Sequence, residues 1–195
     1  KADNKGSRLA AERIVNYYHN DKNILLLELN SETDFVARDS NFINLAESIA
    51  KKLLENNESD VVNEISDEIS SIISKLGENI KLRRFIKIKK INCLYGYSHN
   101  NKIASIVELK EDDENLAKDI CMQIVASNPL ALDEASLDNE TLLSEKEIYK
   151  KELEGIDKKE DIKRNILEGK MKKFINDNTL INQPFVKDPS TSLSK

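Results

Sequence analysis

The chain has 195 residues, 39% hydrophobic and 33% charged, with 30 Lys+Arg against 35 Asp+Glu for a net charge of -5. That length buries a real core as one large domain or two small ones, and no window approaches the ~18 consecutive apolar residues that a bilayer-spanning helix requires. Only 5 Gly and 3 Pro exclude collagen-like and low-complexity chains, and the acidic balance argues against broad nucleic-acid binding.

No apolar stretch follows the basic start at Lys1, so no signal peptide is expected; the chain is expected to be a fragment with further sequence on either side. Leu9, Ile14 and Tyr17 or Tyr18 recur at roughly helical spacing, with Arg8, Glu12 and Arg13 on the other side, which predicts a short helix over 2–20. A polar turn at Asn20-Asp21-Lys22-Asn23 leads into the apolar run Ile24-Leu25-Leu26-Leu27-Glu28-Leu29, the signature of a buried strand. Helix caps follow: Ser31 and Asp34 fit a capping box, and Thr33 is an alternative cap. Phe42, Leu45, Ala46, Ile49 and Leu53 then mark an amphipathic helix. Ile65, Ile69, Ile72, Ile73 and Leu76 mark a second, ended by Gly77.

From residue 80 to 109 the period changes to two. Strands are predicted over 85–90, 93–97 and 103–109, the last two joined by a hairpin loop at Ser98-His99-Asn100-Asn101-Lys102. A helix over 114–127 is stopped at Asn128-Pro129. Two charged helical stretches, 141–154 and 159–177, carry narrow apolar seams and read as an antiparallel hairpin, which is also a candidate oligomer contact. An apolar run over 180–186 contains Pro184, which confines it to a strand end or sheet edge. Strands cluster instead of alternating with helices, so the expected fold class is α+β, with two subdomains of antiparallel sheets and packed helices plus an inserted helical hairpin. The expected division is 1–91, then 92–138 with 178–195, then the hairpin 139–177.

Little in the sequence carries covalent chemistry. The two histidines, His19 and His99, form no H-x-x-x-H pair; there is no C-x-x-C pair, no Gly-rich phosphate loop and no G-x-S-x-G. Cys93 and Cys121 lie among apolar residues and are expected as small buried hydrophobes. One segment stands out, Ser31-Glu32-Thr33-Asp34-Phe35-Val36-Ala37-Arg38, which sets an acid and an aromatic between a buried strand and a helix. The ordinary reading is that Thr33 and Asp34 cap the helix and Phe35 staples its first turn, since such caps are common; the functional alternative is that Asp34 and Phe35 protrude to wedge a partner.

Extended to Asn30, this segment resembles the signature of the bacterial elongation factor Ts family. Further blocks resemble that family in the same order: Gly77-Glu78-Asn79-Ile80 with Arg83-Arg84, Tyr97-Ser98-His99 with Lys102-Ile103, and the helix 120–126 with Pro129. Glu168-Gly169-Lys170-Met171-Lys172-Lys173-Phe174 and Leu180 with Gln183-Pro184-Phe185-Val186 complete the series, and residues 1–13 are similar to the linker before the family's core. Ala104, Cys121 and Gln123 depart from the usual pattern, as core adjustments.

The resemblance implies a cytoplasmic bacterial guanine nucleotide exchange factor that releases GDP from elongation factor Tu without covalent chemistry. It implies no cofactor or metal, no direct contact with nucleic acid and no membrane. It also implies a core lacking the family's N-terminal ubiquitin-associated-like domain and C-terminal module. Thr33, Asp34, Phe35 and Val36 would disturb the partner's Mg²⁺ and phosphate-loop binding, and His99 would make a second contact. Arg83 and Arg84 are expected to be structural. The hairpin falls where the family's often dimerising insertion belongs, so a homodimer is a further expectation. Rival readings are a non-catalytic interaction or oligomerisation module acting through the hairpin, and a hydrolase, which needs two converging acids that the sequence does not display.

Overall fold

The computed structural model of the chain describes residues 10–194. It is mixed α+β with antiparallel sheets, and it divides into two compact units, Lys1–Val125 and Ala126–Lys195.

The first unit opens on a hairpin of β1 (Glu12–His19) and β2 (Asn23–Ser31), paired from Glu12↔Ser31 to His19↔Ile24. The helix expected over 2–20 is therefore corrected: residues 12–19 are a strand, and residues 1–9 lie outside the described residues. Arg13-Ile14-Val15-Asn16-Tyr17-Tyr18 is rich in β-branched and aromatic side chains, and a full antiparallel ladder outweighs a loosely helical spacing. The turn is held by Asn20, whose Oδ1 accepts from the Lys22 and Asn23 amides at 2.9 and 2.8 Å.

Three helices follow: α1 (Asp34–Ala37), α2 (Ser40–Glu55) and α3 (Glu58–Leu76). Next come β3 (Lys81–Lys89), the hairpin of β4 (Cys93–His99) and β5 (Ile103–Leu109), and α4 (Glu114–Ser127). β2 is the central strand of β1-β2-β3. Because side chains alternate along a strand, Leu25, Leu27 and Leu29 share one face and are fully buried with Phe42, Ala46, Ile49 and Leu53 of α2. Val61, Ile65 and Ile73 of α3 complete this core. Gly77 ends α3 at φ 82°, in the left-handed region that glycine enters without steric cost, and its N–H donates to Ile73 O at 2.9 Å.

On the opposite sheet face, Arg84 Nε donates to the buried Glu28 carboxylate at 2.7 Å. Register shifts just beyond this pair, from Glu28↔Arg84 to Leu29↔Leu82, leaving Arg83 as the extra residue of a β-bulge.

The β4–β5 hairpin docks along β1. Val15 N–H donates to Asn101 O at 2.8 Å, Ser98 Oγ donates to Val15 O at 3.1 Å, and Lys102 pairs with Glu12 at 2.8 Å. Gly96 permits this approach, since a Cβ there would stand 2.3 Å from the Tyr17 ring. Cys121 on α4 is fully buried and Cys93 half-buried.

In the second unit, α5 (Asn139–Glu154) and α6 (Glu160–Asn178) form the antiparallel hairpin. Its seam is thin: Leu153 is the buried residue of α5 and α6 has none. Lys170 bridges the helices, pairing with Glu152 and lying 4.9 Å from the Tyr149 ring centroid. At its base Leu130 N–H donates to Asn178 O and Leu180 N–H to Ala131 O, at 2.8 and 2.9 Å. The strand expected over 180–186 is shorter than its apolar run suggests. Leu180–Asn182 is a 3-10 turn, and Pro184 opens the two-residue β6 (Pro184–Phe185), paired with β7 (Asp188–Ser192).

Candidate functional site

The segment singled out by its sequence lies at the exit of β2. Thr33 has extended backbone, φ -122° and ψ 157°, and its Oγ1 accepts from Val36 N–H at 3.4 Å, making it the N-cap of α1. The Ser31–Asp34 capping box does not form. Ser31 Oγ donates instead to Thr33 O at 3.1 Å, and Asp34 pairs with Arg38 at 3.3 Å. α1 is a single turn because Asp39 starts α2 anew, its carboxylate accepting from Asn41 N–H at 2.7 Å. Hydrogen bonds from Asn41 hold the Asp39 carboxyl below the usual carboxylate range.

One turn of helix separates its side chains by direction. Val36 and Ala37 are buried in the core, whereas Phe35 is 82% exposed. Phe35 therefore staples nothing. An aromatic ring is held in water on a turn whose next two residues are anchored.

A second element grips this turn. Glu78 follows Gly77, and its Oε1 accepts from Thr33 Oγ1 at 2.6 Å while its Oε2 accepts from Thr33 N–H at 3.0 Å. In the other direction, Glu32 Oε1 accepts from Asn79 N–H at 2.7 Å. Both acids lie in segments quoted from the sequence, Glu32 beside Thr33 and Glu78 beside Gly77, but the sequence assigns neither a partner. No local pattern ties Glu78 to a residue 45 positions away.

His99 stands at the end of β4, exposed, before Asn100 and Asn101 at φ 52° and 55°. Asparagine tolerates this left-handed pair, which closes the hairpin. The Tyr97 hydroxyl lies 3.1 Å from His99 Nδ1, and Asn100 Nδ2 lies 3.2 Å from Nε2. Thr33–Val36 and His99 both belong to the first unit, on separate elements: the first on the junction above β2, the second on the hairpin docked to β1. Among the described residues, no group of three or more His, Cys, Asp or Glu could hold a metal ion, and no helix is long and apolar enough to cross a membrane.

A family model described as "Elongation factor TS" matches residues 32–195. The chain is 41% identical to the elongation factor Ts of Clostridium acetobutylicum, with all of the chain and 70% of that protein covered. It is 35% identical to that of Alkalilimnicola ehrlichii, with all of the chain and 71% of that protein covered. To that of Marinobacter nauticus it is 40% identical, over 97% of the chain and 68% of that protein. These matches place the chain among the translation elongation factors. It belongs to the elongation factor Ts family.

Proposed function

We propose that this protein is a cytoplasmic guanine nucleotide exchange factor that binds elongation factor Tu and promotes GDP release. The observation that carries the reading is Phe35, 82% exposed on a single helical turn whose neighbours Val36 and Ala37 are buried. An exchange factor makes no bonds. It binds the nucleotide-free partner more tightly than the GDP-bound one, and by linkage GDP weakens its binding by the same factor. Each tenfold loss of GDP affinity requires ~1.4 kcal/mol of differential contact. A rigidly based, protruding aromatic supplies such contact if its receiving cleft opens only when GDP and Mg²⁺ leave.

In this reading Phe35 enters between helices of the GTPase's nucleotide domain, and Asp34 disturbs the polar network around Mg²⁺. Thr33 and Val36 hold the tip. His99 rests on a neighbouring helix that positions the phosphate loop. The functional partition we propose is 1–91 for the tip, 92–138 with 178–195 for the second contact, and 139–177 as the arm. Leu143, Ile148 and Ile162, each roughly half exposed or more along that arm, favour a homodimer contact there.

Calorimetry tests the reading. Binding to nucleotide-free elongation factor Tu should be at least about tenfold tighter than to the GDP-bound form, the ratio that any useful coupling requires. Equal affinities for the two forms would remove it.

A further inference from the structure

The tip does not hold its own shape. α1 is four residues long, far below the length at which a helix is stable by itself, and its internal cap, Val36 N–H to Thr33 Oγ1, is long at 3.4 Å. The short bond lies on the other side of the same hydroxyl, where Thr33 Oγ1 donates to Glu78 Oε1 at 2.6 Å. Glu78 Oε2 takes the Thr33 N–H as well, so one carboxylate fixes both the backbone and the side chain of the cap residue. Glu32 returns the grip by accepting from Asn79 N–H, and Asn79 and Ile80 are themselves buried. Gly77, in the left-handed conformation, turns the chain out of α3 so that Glu78 meets Thr33. The two junctions, β2 to α1 and α3 to β3, are thus clasped reciprocally, each giving a carboxylate to the other's backbone.

We propose that Glu78 is a positioning residue for nucleotide exchange: through Thr33 it holds the Asp34–Phe35 turn in the orientation that enters the partner. The inference rests on the exchange reading above. Its physical basis is preorganisation. A tip already ordered loses little conformational freedom on entering the cleft, so its contacts go into displacing GDP. With the clasp open, the protein still docks through its other contacts, but GDP leaves the complex more slowly.

The test uses Glu78→Gln and Glu78→Ala in the whole chain, with two readouts. One is hydrogen exchange of the Thr33 amide by NMR; the other is a titration of fluorescent-GDP release from elongation factor Tu. Gln keeps the shape but loses the charge and turns a donor to one of the two Thr33 groups, whereas Ala removes both acceptors, and the loss that follows is expected of Ala. Thr33 amide protection should fall about tenfold, the factor that losing one charge-assisted bond implies. The plateau release rate should fall by a similar factor, while the half-saturating concentration changes less. Thr33→Val, which removes the hydroxyl without touching Glu78, should lower the plateau too. Combined with Glu78→Gln it should cost less than the product of the two single effects. Unchanged Thr33 protection in Glu78→Ala overturns the clasp. Lost protection with an unchanged plateau overturns its role in exchange, as does a plateau that falls only in proportion to lost folded protein. A wild-type chain that leaves GDP release at the spontaneous rate overturns the exchange reading instead, and Thr33 protection still judges the clasp.

Discussion

Phe35 and Phe42 stand seven residues apart and at opposite limits of burial, 82% exposed and 0%. The chain separates them by ending α1 at Ala37 and restarting at Ser40 under the Asp39 cap, so that the second ring faces the β2 leucines while the first faces water. In the proposed exchange reading the two divide function from stability. Phe35→Ala should leave the thermal midpoint nearly unchanged, as surface substitutions do, and lower the exchange rate at least about tenfold. Phe42→Ala should cost about 3–5 kcal/mol in denaturant unfolding. A sharp loss of stability in Phe35→Ala with exchange intact would show that the ring packs rather than wedges.

Gly96 offers a test of how the His99 hairpin is seated. Adding a Cβ drives it against Cγ and Cδ2 of Tyr17, atoms near the base of a ring that cannot simply swing aside. Gly96→Ala should cost about 1–3 kcal/mol, the range for overpacking a contact region. Adding Tyr17→Ala should recover part of that loss, a coupling measurable in a double-mutant cycle.

The α5–α6 arm should be separable from the first unit. The buried core of that unit runs from Ile14 to Ile80 and includes no residue of the arm, whose own helices bury Leu153 alone. Replacing 139–177 by a short Gly/Ser bridge should leave a cooperative thermal transition and native near-ultraviolet dichroism. A molten remainder would make the arm part of the core.

Acid should loosen the start of α2. The Asp39 carboxyl is lowered from its usual 3.8, first by the Asn41 side chain and then by the Asn41 backbone N–H. The native state therefore binds fewer protons than the unfolded one. This contribution is complete above the unfolded value and is lost as pH falls through the lowered native one. Asp39→Asn keeps a good capping residue but removes the titration. Its thermal midpoint should fall less steeply than that of the wild type as the pH drops below 3.8. Parallel curves would assign the acid sensitivity to other carboxylates, such as Asp133 and Asp138, which their Ser136 and Thr141 partners also lower.

Legibility in the sequence followed the range of the interactions. α2, α3, α4 and the β4–β5 hairpin were readable because apolar spacing, Gly77 and the Asn100-Asn101 turn act within a few residues. β1 was misread because its strand character is settled by pairing with β2, while its own spacing is ambiguous. The break between α1 and α2 was missed because Phe42 and Leu45 continue a helical pattern through a second cap at Asp39. At the candidate site, Thr33–Val36 and His99 are marked in the sequence by short motifs. The bonds that Glu78 and Glu32 make were not legible, since their partners lie 45 and 47 residues away and nothing local marks an acid that bonds across such a span.

The most direct measurement is the release of fluorescent GDP from elongation factor Tu, followed by stopped flow against rising concentrations of this protein. The release rate should climb above the spontaneous rate and saturate, and Phe35→Ala should lower the plateau. A wild-type rate that stays at the spontaneous value at every concentration, while binding is detected independently, would contradict the exchange reading.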